Sequence, residues 1–443
     1  MESSKLWGGV TVIIVLLAWS VIASGKVIYV DANAPGQDNG TSWENGYNFL
    51  QNALADAKSS PKPVEIRVAQ RIHTPDSSSA APNGTGNRQA VFGLISGVRL
   101  MGGYAGYGKA DPNERDVEAY ETFLSADLSG NDGPGWDWDH FNDNSDKVVD
   151  GSGTDPSAVL DGFTVTRVIG GDAGLYNSNG SPTVSNCTFI WNWADGDGGG
   201  ISNWNSSAPR VTNCTFIQNV GEDHGGGVLN NSFCDSIITD CSFTGNSVGI
   251  WNGQEVSYSG NPIATNCTFT GNSRAGIVNY ASSFVVTNCI LWDDKPVSGY
   301  SSGFPYVRPT ITYSDVKGGW LGPDGTNGTN IDADPCFVDA GGGDFCLRAR
   351  SPCIDAGDND AVPSGITTDL AGGPRFVDDT RTIDTGHGTR PIVDMGAFEY
   401  RPACGDEDHP YPPMDFNHDC IVDFIDFGLF CGHWLECTKP ECD

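Results

Sequence analysis

Between residues 158 and 292, apolar and polar positions recur with a long period rather than a helical one. Cys187, Cys214, Cys241, Cys267 and Cys289 head similar strings, at steps of 27, 27, 26 and 22 residues. Three positions before each Cys stands a small or branched apolar residue: Val184, Val211, Ile238, Ala264 and Val286. Immediately before each stands Asn186, Asn213, Asp240, Asn266 or Asn288, and two after stands Phe189, Phe216, Phe243, Phe269 or Leu291. Asn192, Asn219, Asn246 and Asn272 follow three positions beyond the four Phe residues.

Cys and Phe, two apart, share one face of a strand. The earlier apolar residue is three away and falls out of phase. A bend at the intervening Asn restores the phase, because Asn tolerates the left-handed backbone that a bend needs. Each unit therefore reads as a short strand, an Asn bend, a second strand and an Asn turn. A third strand follows around Ile201, Val228, Ile250 or Ile277. One such unit cannot bury its apolar face, whereas stacked units can, and a period of this length predicts a solenoid. Strands of successive coils pair at roughly 4.8 Å, so like residues stack as ladders. The predicted fold is all-β, a right-handed parallel β-helix.

The flanks read differently. At the N-terminus Lys5 precedes the apolar run Val10 to Ala23, and Ala23-Ser24-Gly25 supplies small residues. Such a run is short for a membrane span and has the form of a signal peptide over residues 1–25. The chain is then expected to be secreted, extracellular or at the cell surface, with an uncleaved anchor as the alternative. Tyr47, Leu50, Leu54 and Ala57 share one face of a predicted helix suited to covering the open end of the coil. The β-helix domain is expected over 26–402, with its clear repeats in 158–292 and a closing region in 330–402. A separate small module fills 403–443.

The strings "FIWN", "FIQN", "FTGN", "FTGN", "GGGI" and "GGGV" resemble the F-x-x-N and G-G-A-I repeats of polymorphic outer-membrane proteins. The segment at 28–57 is similar to the N-terminal cap of secreted β-helix proteins with a pectin-lyase-like fold. The segments "DPCFVDAGGGDFCLRARSPCIDAGDN" and "VDMGAFEY" resemble a closing region of the choice-of-anchor type. These resemblances imply the fold. They imply little about activity, because one fold hosts lyases, hydrolases, esterases, adhesins and inert stalks.

Composition narrows the partners. The 443-residue chain carries 56 acidic and 24 basic residues, a formal net charge of −32. That field repels nucleic acid and anionic lipid and attracts cations. Fourteen Cys suggest an oxidising compartment. The five stacked Cys fit disulfide geometry poorly and are expected as buried thiols. Disulfides are expected instead among Cys336, Cys346, Cys353 and the tail cysteines.

Two places carry candidate chemistry. The first two units extrude longer loops, "ADGDGGG" and "GEDHGGG". In register these bring Asp195 near Glu222 and Asp197 near His224, with Asp223 beside them. Stacked carboxylates repel, so they need a cation, a shared proton or outward splay. The alternatives are a calcium or acid/base site on a groove, or solvated Gly-rich loops. Trp193, Trp204 and Trp251 lie beside the turns and are candidate sugar platforms, with packing between coils as the alternative. Lyases of the resembled fold typically use Arg or Lys as base. Here no Lys stands between Lys147 and Lys295, and Arg only at 167, 210 and 274.

In the tail, "DFNHDCIVDFID" spaces oxygen ligands as a calcium loop does: Asp415, Asn417, Asp419, the Ile421 carbonyl, Asp423 and Asp426. With Asp at the twelfth place it resembles one type I dockerin repeat, where dockerins carry two. That implies a Ca2+ cofactor and a possible cohesin-like or cell-surface partner. Five Cys (404, 420, 431, 437, 442) would staple so small a module. The expected function is binding or degradation of an extracellular polysaccharide by a hydrolase or lyase. The alternative is a non-catalytic adhesin or structural surface protein.

Overall fold

A computed structural model describes residues 25–133, 140–196, 198–253, 260–280, 282–299, 308–321 and 327–401. The signal-like segment, Asp197 and the calcium-type loop with its cysteines lie outside the described residues. Among the described residues no helix is long and apolar enough to cross a membrane.

The structure is an all-β, right-handed parallel β-helix. Three long sheets run the length of the coil. The first stacks ten strands, from Lys26–Val30 through Thr183–Ser185 and Arg210–Thr212 to Thr310–Thr312. The second stacks nine, from Arg71–His73 through Thr122–Ser125, Thr164–Thr166, Thr188–Ile190 and Thr215–Ile217 to Asp315–Val316. The third stacks eight, including Ile201–Trp204, Val228–Asn230 and Val248–Asn252. All pairs in these sheets are parallel, in the register the repeats predict: Val184 on Val211, Phe189 on Phe216, Ile201 on Val228.

The bend column behaves as the residue types demand. Asn186, Asn213, Asp240, Asn266 and Asn288 take φ of 51 to 56°, the left-handed region that non-Gly residues seldom enter. The Phe rings stack 5.1, 4.7 and 4.7 Å apart, within 5° of parallel, at the strand spacing itself. Asn192, Asn219, Asn246 and Asn272 form a buried amide ladder, with Nδ2 donating to the next Oδ1 at 3.0 to 3.1 Å. Each also donates to a strand carbonyl, as Asn219 does to Phe189 at 2.8 Å. A second ladder, Asn177 to Asn203 to Asn230 to Asn252 at 2.8 to 3.0 Å, runs beneath the third sheet.

The helix Leu50–Ser59 buries Leu50, Ala53, Leu54 and Ala57 over the first coils. It starts three residues later than the apolar spacing predicts, because Tyr47 bridges Val30 instead.

The five ladder cysteines are buried free thiols, as expected. The disulfides expected among Cys336, Cys346 and Cys353 are not formed: all three are free thiols. Cys353 is fully buried with Sγ aimed at Asp315 Oδ2, 3.4 Å away. That position takes the thiol into the packing under the closing region rather than toward another sulfur.

The closing region folds back along the coil. It has an antiparallel pair, Phe337–Asp339 with Asp344–Leu347, followed by loops. These dock on the bend column. Asn288 exchanges bonds with the Asp358 backbone at 2.9 and 2.7 Å, and the Ala397 amide donates to Thr268 Oγ1 at 3.0 Å. Leu347, Ile354, Met395 and Tyr400 cover Ile290. The rear of the second sheet is thus roofed over, and its front is left open.

Candidate functional site

The open front holds a groove of about 710 Å³. Its floor is the outward face of the second sheet, where side chains alternate with the buried Leu124, Val165, Phe189 and Phe216. The outward positions are Phe123, Ser125, Thr164, Thr166, Thr188 and Ile190. Thr164 and Thr188 thereby stand one strand spacing apart on this face, whereas the Thr166 hydroxyl is buried.

One wall is the turn after Thr122–Ser125. Asp127 starts it, and its carboxylate accepts backbone N–H bonds from Gly130 at 2.7 Å, Asn131 at 3.2 Å and Asp132 at 3.1 Å. This folds the turn so that Asp132 faces the groove. Asn144 Nδ2 donates to Asp132 Oδ2 at 2.9 Å, while Oδ1 is buried without a partner. Burial pushes the Asp132 carboxyl up to about 6; the Asn144 bond and Arg167 oppose the shift, and the charge of Asp127 adds to it. Two carboxyl groups thus lie in one turn, Asp127 held by backbone amides and Asp132 half-buried beside it.

Beside this turn the groove is aromatic and cationic, and the Asn144 amide that holds Asp132 also donates to the Arg167 carbonyl at 2.7 Å. Arg167 and Trp191 leave adjacent rungs with φ of 73 and 53°. That left-handed backbone turns both side chains outward, with the guanidinium 4.8 Å over the indole ring. Trp191 Nε1 donates to Gln218 Oε1. Arg71, Glu121 and the apolar Ile72, Leu128 and Ile217 also line it. Hydroxyls, a planar ring, guanidinium groups and a carboxyl pushed up to about 6 can orient a polar, ring-containing chain and move a proton on it.

The residues singled out by the repeat lie elsewhere. Asp195 and Glu222 stack on adjacent rungs, with the Glu222 amide donating to the Ala194 carbonyl at 3.1 Å. Asp195, Glu222 and Asp223 are all exposed. Arg274 reaches across to donate to the carbonyls of Glu222 and Asp223, at 3.1 and 3.4 Å. The stacked carboxylates are thus solvated, and Arg274 ties the backbone of the second loop rather than its carboxylates. His224 Nδ1 donates to the Gly196 carbonyl at 2.9 Å, and its ring stands edge-on to Trp251.

Trp251 is 4 % exposed and packs among Leu229, Val248 and Val278. Its ring is core and offers no sugar platform. Trp204 leans on the same cluster with Nε1 donating to Ser202, and Trp193 is half-buried. The groove's aromatics are Phe123 and Trp191, the latter the variable third letter of "FIWN". Asp127 and Asp132 precede the first countable repeat, so the period does not point to them. The Asp-rich, Gly-containing "DLSGND" after an apolar strand was the available signal.

A family model described as "Right handed beta helix region" matches residues 141–291. Among solved structures the chain is similar to a pectate lyase at 14% identity, covering 86% of this chain and 98% of that one with TM-score 0.38. It is similar to the pectin methylesterase from Aspergillus niger at 14% identity, 71% and 93% coverage and TM-score 0.38. A rhamnogalacturonan lyase follows at 11% identity, 71% and 91% coverage and TM-score 0.39. At these scores the likenesses carry no inference about activity. A comparison with curated proteins finds no significant match.

Proposed function

We propose that the chain is an exported β-helix protein that binds an extracellular polysaccharide along the front groove and cleaves it there by hydrolysis. Asp132 is the proton donor to the departing glycosidic oxygen. Asp127, fixed by three backbone amides, supplies the negative charge that an oxocarbenium-like transition state needs. Arg71 and Arg167 favour a substrate with carboxylate groups. The observation that carries the reading is the Asp132 carboxyl: half-buried, with one oxygen unpartnered, and pushed up to about 6 on the wall of an open groove. The tail loop of Asp415, Asn417, Asp419, Ile421, Asp423 and Asp426 would hold Ca2+ in a small anchoring module.

The test is incubation with a panel of acidic and neutral polysaccharides, reading reducing ends and unsaturated products separately. Reducing ends without unsaturation are expected. Asp132→Asn should lower turnover by at least about 100-fold, the usual scale of a lost general acid, and leave binding of the same polysaccharide intact. Unsaturated products would replace hydrolysis by elimination. Binding with no turnover, unchanged in Asp132→Asn, would leave a non-catalytic adhesin.

A further inference from the structure

A second cluster lies in the closing region, far along the chain from the groove residues. Asp355 sits at φ 50° with its side chain fully buried. Neither of its carboxylate oxygens has a hydrogen-bond partner. One oxygen each of Asp378 and Asp384, Oδ1 in both, is likewise buried and unpartnered. Ligand oxygens of the three residues all lie within 4.8 Å of one another. Buried polar atoms without partners are costly, and converging like charges compound the cost.

The surrounding bonds hold this arrangement without using the oxygens that point inward. The Asp355 backbone carbonyl accepts from the Thr385 and Gly386 amides, both at 3.0 Å, which ties the Asp384 turn to Asp355. The Asp355 amide donates to Asp394 at 2.7 Å. Asp379 closes its own turn, accepting from the Arg381 amide at 3.2 Å and from Thr382 Oγ1 at 2.7 Å. Arg390 Nε bonds the other oxygen of Asp384. One guanidinium at the rim therefore faces three carboxyl groups.

We propose that Asp355, Asp378 and Asp384 form a calcium site that staples the closing region of this chain. An all-oxygen donor set suits a hard cation. Calcium accepts irregular geometry with six to eight oxygens at about 2.3–2.6 Å, whereas magnesium demands a near-ideal octahedron. Asp355 supplies the buried base of the site. The half-exposed Asp378 and Asp384 leave room at the rim for water to complete the shell. Burial, followed by the charges of Asp378 and Asp384, pushes the Asp355 carboxyl up to about 7; the Asp379 backbone N–H, near but not in hydrogen-bond geometry, opposes the shift. A divalent ion removes that conflict. Binding to the folded form alone then stabilises it by mass action.

The test uses the whole mature chain carrying Asp415→Ala and Asp419→Ala, so that the tail loop is not counted. Equilibrium dialysis in millimolar calcium, the weak end for extracellular modules, should give one ion bound per chain. The melting temperature should rise in calcium relative to chelator. Asp355→Asn should lose the bound ion and the calcium-dependent rise, and melt no lower than its parent in chelator. Retention of both the ion and the rise in Asp355→Asn would overturn the site, as would a parent that binds no calcium. If Asp355→Asn fails to fold, Asp384→Asn, at the half-exposed rim, is read by the same two measurements. Neither reading involves the groove, so polysaccharide turnover stands or falls separately.

Discussion

At the scale of single residues, Asp132 decides what the groove can do. An Asp whose folded pKa is raised from 3.8 to about 6 keeps its proton across mildly acid conditions. A step that needs the protonated form should therefore proceed below about pH 6 and fade as the pH rises through it. The sign for stability is separate. A raised carboxyl pKa penalises folding progressively above the unfolded value, and the penalty is complete above about pH 6. Asp132→Asn removes that penalty and can still accept from Asn144. The expected outcome is a variant that melts at least as high as its parent near pH 7 while its turnover is lost. A variant equally impaired in melting temperature and turnover would make Asp132 a packing residue.

At the scale of strands and turns, the ladders bear the coil. Phe216 is fully buried between two parallel rings, so Phe216→Ala should cost about 3–5 kcal/mol in denaturant unfolding. Asn219 accepts from the Asn192 backbone and side chain at 3.2 and 3.0 Å, and donates to Phe189 and Asn246. Asn219→Ala strands several of these groups at about 1–3 kcal/mol each. Its cost should therefore match or exceed that of Phe216→Ala, although it removes less apolar surface.

This level was legible in the sequence because each ladder repeats one letter at a near-constant step, and stacking converts that step into contact. The groove was not. Asp127 and Asp132 sit in a turn before the first countable unit, and Arg167 and Trp191 gain their outward aim from left-handed backbone that no single letter announces. Asp195 and Glu222 did come together as the register required. Their exposure and the reach of Arg274 from two rungs away depend on loop paths that the period does not set. The convergence of Asp355, Asp378 and Asp384 was equally hidden, since their separations in the chain follow no repeat.

At the scale of the whole molecule, one exception in the bend column explains how the two parts are joined. Where the other units carry Asn, the third carries Asp240, and there the closing region inserts Arg375. Both side chains are fully buried. The Arg375 Nε lies 3.8 Å from Asp240 and 3.6 Å from Glu399. Its Nη2 donates to the carbonyls of Asp394 and Gly396 at 2.8 and 2.9 Å. Burial pushes Asp240 and Glu399 each up to about 7, and Arg375 is the leading influence holding them down. Removing one partner from such a group leaves uncompensated buried charge and costs about 3–5 kcal/mol. The apolar, similarly sized Arg375→Met should therefore loosen the closing region from the coil. Calorimetry should then show an early transition for the closing region ahead of the melting of the coil. The pH dependence carries a sign. Without the guanidinium both carboxyl pKa values rise further, so the folding penalty keeps growing above about pH 7, where the parent's has levelled off. The gap in melting temperature between parent and variant should widen as the pH rises through about 7. A gap that narrows there, or a single unshifted transition, would mean that Arg375 fills space without clamping the two parts.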